Sequence, residues 1–467
     1  MVRVTDRVPG LLAASAMGVY LLVLVGTTVA VTDAAATCGA WPACGDGTAL
    51  PTTTAGALVI GHRLAAVGVG LLVLLAGVAA WRRNRSRRVR AALGVSMCCY
   101  PVQAALGAVV ATNGPTAVLS AAHLLVGVVI FGGLVAALAW TLEADTGDPS
   151  DDPVTDPEDL SMPEAPADPE SPTLPEEPVA RVRAVAGAYF RLTKPRLMWL
   201  LCLVASAGMA LAAGPALEPR TVVLTLLGGV LSIGASGTFN HVLERDVDRR
   251  MNRTSDRPIA TDVVSVRNAL IFAGLLTVGS LVSFAAVNPL VAVLGLLAIV
   301  FYSVIYTLIL KPNTVQNTVI GGAAGALPAL IGWAAVTGSV GLGGLVLATV
   351  IFLWTPAHFY NLALAYKDDY ARGGFPMMPV VRGETETRKH ILWWLAATLV
   401  GAGVLATWEP LGWVYVLTTV VLGAAFLWAV VRLHVDRTES AAFRAFHASN
   451  AYLGALLLAV VVDTLAF

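Results

Sequence analysis

The chain has 467 residues, 57% of them hydrophobic and 13% charged, with 30 Lys and Arg against 30 Asp and Glu. Apolar runs of about 18 to 24 residues recur along it, the length that crosses a bilayer as a helix, which excludes a soluble globular enzyme and marks an all-α polytopic membrane protein. Its formal net charge of zero conceals strong segregation of charge, so net charge says little about partners, and no nucleic-acid partner is expected.

The first apolar run, Leu11 to Val31, follows Arg3 and Arg7 and precedes Ala34-Ala35-Ala36, small residues of the kind found at cleavage sites. The apolar core of a signal peptide is about 7 to 15 residues long, so this longer run reads as a retained helix, with a cleaved signal peptide as the alternative. The same reading predicts thirteen spanning helices, at about 11–31, 57–80, 91–112, 117–140, 198–214, 221–243, 267–286, 290–310, 315–336, 342–364, 391–407, 412–431 and 448–466. With the N-terminus inside, only Arg63 and Arg220 fall at the outer side, and the other 28 Lys and Arg fall inside. Positive charge in short loops sets orientation, so this tally supports the helix parity and a cytoplasmic N-terminus in the cell membrane.

Between the first two helices lies Cys38-Gly-Ala-Trp41-Pro42-Ala-Cys44. On the oxidising outer side Cys38 and Cys44 are a candidate disulfide, with two free thiols as the alternative. Cys98, Cys99 and Cys202 fall inside apolar helices and read as packing residues. His62 and His123 lie roughly 9 and 12 Å from the outer ends of the second and fourth helices. Each alone reads as a structural histidine; their matched depth makes them candidate ligands of one heme if the helices are neighbours.

The stretch Glu143 to Glu177 holds 13 of the 30 acids and no Lys or Arg, and prolines recur from Pro149 to Pro178. Such sequence cannot bury enough apolar surface to fold. Residues 143–180 are therefore expected to form an acidic, Pro-rich cytoplasmic linker joining a four-helix domain, 1–142, to a nine-helix domain, 181–467.

The sixth helix runs out into Asn240-His-Val-Leu-Glu244-Arg-Asp246-Val-Asp248, followed by Arg249, Arg250, Arg253 and Arg257. Asn240, Glu244 and Asp248 share one face if the helix continues, with Asp246 turned about 160° away. Oxygen ligands suit Mg²⁺, which takes one or two carboxylates and completes its shell with water and substrate phosphate. Adjacent guanidinium groups suit a phosphate anion, so the pattern suggests a diphosphate site. The competing reading is an ordinary cytoplasmic loop with helical Glu/Arg pairs, against which stands the cost of a polar ladder beginning inside an apolar helix. The tenth helix ends alike, in Trp354-Thr-Pro356-Ala-His358-Phe-Tyr360 leading to Lys367-Asp368-Asp369-Tyr370-Ala-Arg372. Asn361 and Asp369 repeat the spacing of Asn240 and Asp248, either as a four-helix repeat or by coincidence.

These motifs, together with Lys194-Pro195-Arg196, Tyr306-Thr-Leu-Ile-Leu-Lys311, Gln316-Asn317 and Gly321-Gly-Ala-Ala-Gly-Ala-Leu-Pro328, resemble the protoheme IX farnesyltransferases, or heme O synthases, of the UbiA-type intramembrane prenyltransferases. The resemblance covers about residues 185–467 and implies a nine-helix UbiA-type bundle. It implies that Mg²⁺ is held by Asn240, Glu244, Asp248 and Asp369, with Asp368 a further catalytic carboxylate. Arg253, Arg257, Lys311, Lys367 and Arg372 are then candidates to neutralise the diphosphate of farnesyl diphosphate. Ionisation gives an allylic cation that a vinyl group of heme B attacks, and water adds to give heme O. Glu244 stands where an Asp is common in the family. His358 either orients heme or packs in a kinked helix, and Tyr302, Tyr306 and Tyr360 read as core aromatics.

In the first half, Gly61-His62-Arg63, Ala122-His123 and the Cys38 to Cys44 loop are similar to one half of the heme A synthases, over about residues 10–140, although Val59 replaces the Glu usual three residues before the first histidine. That resemblance implies a heme-binding or heme-passing domain, with a degenerate membrane anchor as the alternative. Together the resemblances imply membrane lipid, heme B and farnesyl diphosphate as partners, with heme A synthase or the terminal oxidase assembly as further candidates. The competing functions are a UbiA-type transferase for a quinone or lipid acceptor, a bifunctional heme O and heme A synthase, and a non-catalytic heme-binding membrane protein.

Overall fold

A computed structural model describes residues 7–31, 34, 38, 40–44, 53–148, 151, 174–409 and 411–466. Ala35 and Ala36, and residues 149, 150 and 152–173 of the expected linker, lie outside the described residues. In chain order the helices are α1 (Val8–Val31), α2 (Thr54–Arg82), α3 (Arg87–Asn113), α4 (Ala117–Thr146), α5 (Pro178–Leu192), α6 (Pro195–Ala213), α7 (Pro219–Leu243), α8 (Arg245–Asp248), α9 (Val266–Ala285) and α10 (Pro289–Val300). A π-helical segment, Phe301–Leu310, then leads into α11 (Lys311–Asn313), α12 (Asn317–Thr337), α13 (Leu342–Ala365), α14 (Lys367–Arg372), α15 (Met378–Val381), α16 (Glu384–Trp408), α17 (Trp413–Asp436) and α18 (Glu439–Ala466). Thirteen helices among the described residues are long and apolar enough to cross a membrane, matching the expected count and order.

Local chemistry explains the helix starts. Thr53, Ser86 and Thr116 cap α2, α3 and α4 by accepting the backbone N–H three residues on, at 3.1, 3.4 and 3.3 Å. Glu177 and Asn288 cap α5 and α10, each followed by a proline whose missing N–H costs nothing at the first helical position. The amphipathic α5, absent from the sequence expectation, packs Ala188 and Leu192 on Ile259, Val264 and Ala269.

The chain divides into two compact units, residues 1–148 with 388–452, and residues 149–387 with 453–467. The packing division and the sequence division thus place residues 388–452 differently. In the first unit, α1 packs on α2, α4 and α17. Tyr20 meets Phe131 at 5.8 Å between ring centres, and Trp140 meets Trp393 edge-on at 6.4 Å. Cys38 and Cys44 are joined by a disulfide, and the Arg63 guanidinium donates to the carbonyls of Ala40, Pro42 and Ala43 at 2.9, 3.0 and 2.7 Å.

In the second unit α6 packs tightly on α12, and α7 on α9. A Cβ on Gly208 would come within 2.5 Å of the Ala329 carbonyl oxygen, so the α6 and α12 backbones touch there. Small residues allow this approach between helices whose flanks are equally apolar. Ser280 Oγ donates to the Gly228 carbonyl at 2.8 Å, tying α9 to α7. The α7 helix stops at Leu243, because Glu244 adopts φ −97° and ψ 8°, and α8 restarts at once.

Candidate active site

The break at Glu244 does not scatter the acidic ladder. Backbone bonds from Glu244 N to Asn240 O (2.9 Å) and from Asp248 N to Glu244 O (2.7 Å) keep the four-residue repeat across it. Asn240, Glu244 and Asp248 are all buried, while Asp246 is exposed, as the helical spacing requires.

Each buried acid meets a cation. Lys311 Nζ donates to Glu244 Oε1 at 2.6 Å, and its ammonium lies 4.1 Å from the Phe375 ring centre. Arg257 Nη1 donates to both Asp248 oxygens, at 2.7 and 2.6 Å, and stands 3.8 Å from Glu244 Oε2. Burial works to raise the Glu244 carboxyl, but Lys311, Lys194 and Arg257 hold it below the usual value. Burial pushes Asp248 up over the pull of Arg257, and the neighbouring Glu244 charge adds to the rise. Two carboxylates around one guanidinium are thereby driven apart in acidity.

Asp369, in the short helix α14 that follows α13, reaches the same segment. Its carboxylate accepts the backbone N–H of Asn252 at 2.8 Å and of Arg253 at 3.2 Å, and Arg372 Nη2 at 2.6 Å. The two acidic helix ends thus meet through the loop that follows the first. Arg253 stacks over Tyr366 and Tyr370, at 4.8 and 5.3 Å from the ring centres. Asp368 is exposed, and Lys367 is paired with Glu384 at 3.2 Å, at the rim of this cluster. Among the described residues no three or more His, Cys, Asp or Glu side chains close into a metal-binding group. The Asn361 side-chain oxygen is buried without a hydrogen-bond partner.

The sequence expectations named Lys194 only as part of a motif; the structure makes it central. Its backbone sits in the left-handed region, φ 53° and ψ 56°, immediately before Pro195. Such strain in a non-glycine residue persists where surrounding structure imposes it. The ammonium donates to Asn240 Oδ1 and, at 3.2 Å, to the Tyr302 hydroxyl. Burial, reinforced by Arg257, pushes it down to about 7. Asn240 Nδ2 donates to Thr307 Oγ1 at 3.1 Å, and Thr307 in turn donates to the Tyr302 carbonyl at 2.9 Å inside the π-helical segment. The only hint in the sequence was a lysine before proline at the start of an apolar run.

Beyond Lys194 and Tyr302 opens a mostly apolar cavity between α6, α7 and α12, with about 720 Å³ of space including its open side. Leu197, Leu201, Ile233, Pro328, Ile331 and Phe284 contribute to its wall. His358 is buried and stacks on Trp354 at 4.2 Å and 15°. In the first unit, the Nδ1 atoms of His62 and His123 are buried without hydrogen-bond partners. A Cβ on Gly26 or Gly107 would meet these imidazoles at 3.3 and 3.2 Å, so two glycines make room for the rings.

A helical membrane bundle that gathers acids and fixed cations at one end of an apolar cavity has the architecture of an intramembrane prenyltransferase. The UbiA prenyltransferase family model matches residues 200–453, and the chain belongs to that family. A second family model, cytochrome oxidase assembly protein, matches residues 58–162. The chain is similar to the protoheme IX farnesyltransferase of Haloarcula marismortui, 66% identical and covering 98% of both chains. It is similar also to that of Haloquadratum walsbyi, 64% identical over 98% of this chain and 96% of that protein. A solved structure concerning digeranylgeranylglyceryl phosphate synthase in membranes shares the fold, with TM-score 0.52 at 14% identity, over 61% of this chain and 100% of that one.

Proposed function

We propose that the chain is a heme O synthase. It would transfer farnesyl from farnesyl diphosphate to a vinyl group of protoheme IX, with addition of water, releasing diphosphate. The supporting observation is the interlock of Glu244, Asp248 and Asp369 with Lys311, Arg257 and the Asn252–Arg253 backbone beside an apolar cavity.

Fixed positive charge from Arg253, Arg257, Lys311 and Arg372, with Lys367 at the rim, binds the diphosphate and stabilises the charge that grows on it as the allylic C–O bond breaks. The apolar wall excludes water from the cation until the vinyl carbon attacks. Water then adds to the resulting carbocation and loses a proton, giving the hydroxyethylfarnesyl side chain. Asn240, Glu244, Asp248 and Asp369 would hold Mg²⁺, with Asp368 joining from the rim, since their oxygen donors suit a hard divalent cation. A bound Mg²⁺ supplies further charge neutralisation to the leaving diphosphate. His358, already stacked on Trp354, would orient the heme.

The domain reading remains 1–142, 143–180 and 181–467, with the N-terminus and active-site loops cytoplasmic in the cell membrane. His62 and His123 are the proposed heme ligands of the first part, supported by their unpartnered buried nitrogens. This part would exchange heme with the transferase, with heme A synthase or the oxidase assembly as downstream partners. The test is mass analysis of hemes from a heme-O-deficient host expressing the chain, beside Asp248→Asn. Farnesylated heme from the intact chain alone is the expected result. Only heme B, despite membrane insertion and available donor, overturns the acceptor assignment.

A further inference from the structure

Phe284 stands at the end of the cavity remote from Lys194. Along α7 the wall runs from Gly237, beside Lys194, to Thr225, a rise of about 18 Å. Near that deep end Phe284 reaches in from α9, fully buried. Its ring occupies a slot left by two glycines: a Cβ on Gly228 would lie 2.6 Å from it, and one on Gly295 would overlap it more closely still. Val291, Leu294 and Met209 belong to the same buried cluster as the ring. The Ser280 bond to the Gly228 carbonyl holds α9 against α7 one turn away. The ring is thus tightly packed and also contributes to the cavity wall.

We propose that Phe284 sets the length of the prenyl chain this enzyme accepts. This rests on the reading that the cavity holds the prenyl tail of the donor while the diphosphate sits among the cations at the Lys194 end. A farnesyl chain is of a length to run from there to the ring. A longer chain that follows the same path meets the ring, whose close packing resists displacement, whereas removing the ring opens room comparable with one isoprene unit. Gly229 offers the converse change. It lines the cavity, and a Cβ placed on it meets nothing within 4 Å. A larger side chain there fills the deep end without opening a hole in the core.

The test measures selectivity among geranyl, farnesyl and geranylgeranyl diphosphates in purified protein, by kcat/KM with protoheme and by affinity for the corresponding unreactive thiolodiphosphates. Phe284→Leu and Phe284→Ala are expected to raise the geranylgeranyl over farnesyl ratio by on the order of ten- to a hundredfold, and Gly229→Leu to raise the geranyl over farnesyl ratio by about as much. Unchanged ratios in Phe284→Leu and Gly229→Leu, both well folded by size-exclusion chromatography, overturn the proposal. The affinity arm needs no acceptor. If the chain fails to prenylate protoheme but its length preference still moves with these variants, the acceptor assignment falls and the ruler stands.

Discussion

The Asp369 carboxylate ties two stretches of chain together, and its replacement by asparagine gives a quantitative test. Asp369 is buried and accepts two backbone N–H groups, from Asn252 at 2.8 Å and Arg253 at 3.2 Å, besides Arg372. The Arg372 side chain is 39% exposed, so water screens that pair and its share is set near zero. Each bond from a backbone N–H to a carboxylate contributes up to about 1.5 to 3 kcal/mol, less here because Asn252 and Arg253 are exposed and water can take over a freed donor. Asparagine keeps one oxygen and turns an NH₂ toward the other donor. The expected loss is about 1.5 kcal/mol for the loop holding Asn252 and Arg253, roughly tenfold in its opening equilibrium. Hydrogen exchange of peptides spanning 249–257, measured without metal or donor, should show that acceleration in Asp369→Asn. Unchanged exchange, with lost turnover restored by excess Mg²⁺, would refute the structural role and leave Asp369 as a metal ligand alone.

Asp248→Asn should lower turnover by at least about a hundredfold, while Asp246→Asn, altering an exposed side chain, should stay within about twofold; steady-state assays of both variants decide it. Chelation of divalent cations should abolish turnover yet leave the thermal midpoint of the unliganded protein unchanged, because Lys311, Arg257 and Arg372 already neutralise the acids. A large drop in that midpoint on chelation would contradict this. The fall of Lys194 from 10.5 to about 7 sets a pH dependence. Below about 7 both the folded and unfolded chains carry the proton, and burying the charge costs stability in full. As pH rises from about 7 to 10.5 the folded state carries fewer protons, so the cost fades. Stability should therefore climb across that window, and Lys194→Met should remove the climb. Affinity for the diphosphate donor runs the other way, weakening as pH rises through about 7, and its profile should flatten in the same variant.

The membrane architecture was legible in the order of the residues. Uninterrupted apolar runs of bilayer length leave a helix as the only conformation that satisfies their backbone groups, so thirteen spans could be counted without coordinates. The four-residue ladder of Asn240, Glu244 and Asp248 was legible for the same reason: helical spacing decides which side chains share a face, and Asp246 falls outside. What those acids touch depends on how distant segments pack. Lys311 is 67 residues from Glu244, and Asp369 is 117 from Asn252, and no local pattern encodes such pairings. Nor could periodicity find the left-handed turn at Lys194, the π-helical segment that brings Thr307 to Asn240, or the slot for Phe284 between Gly228 and Gly295. Each arises where separate helices meet, and the chain between them carries no record of which residues will face one another.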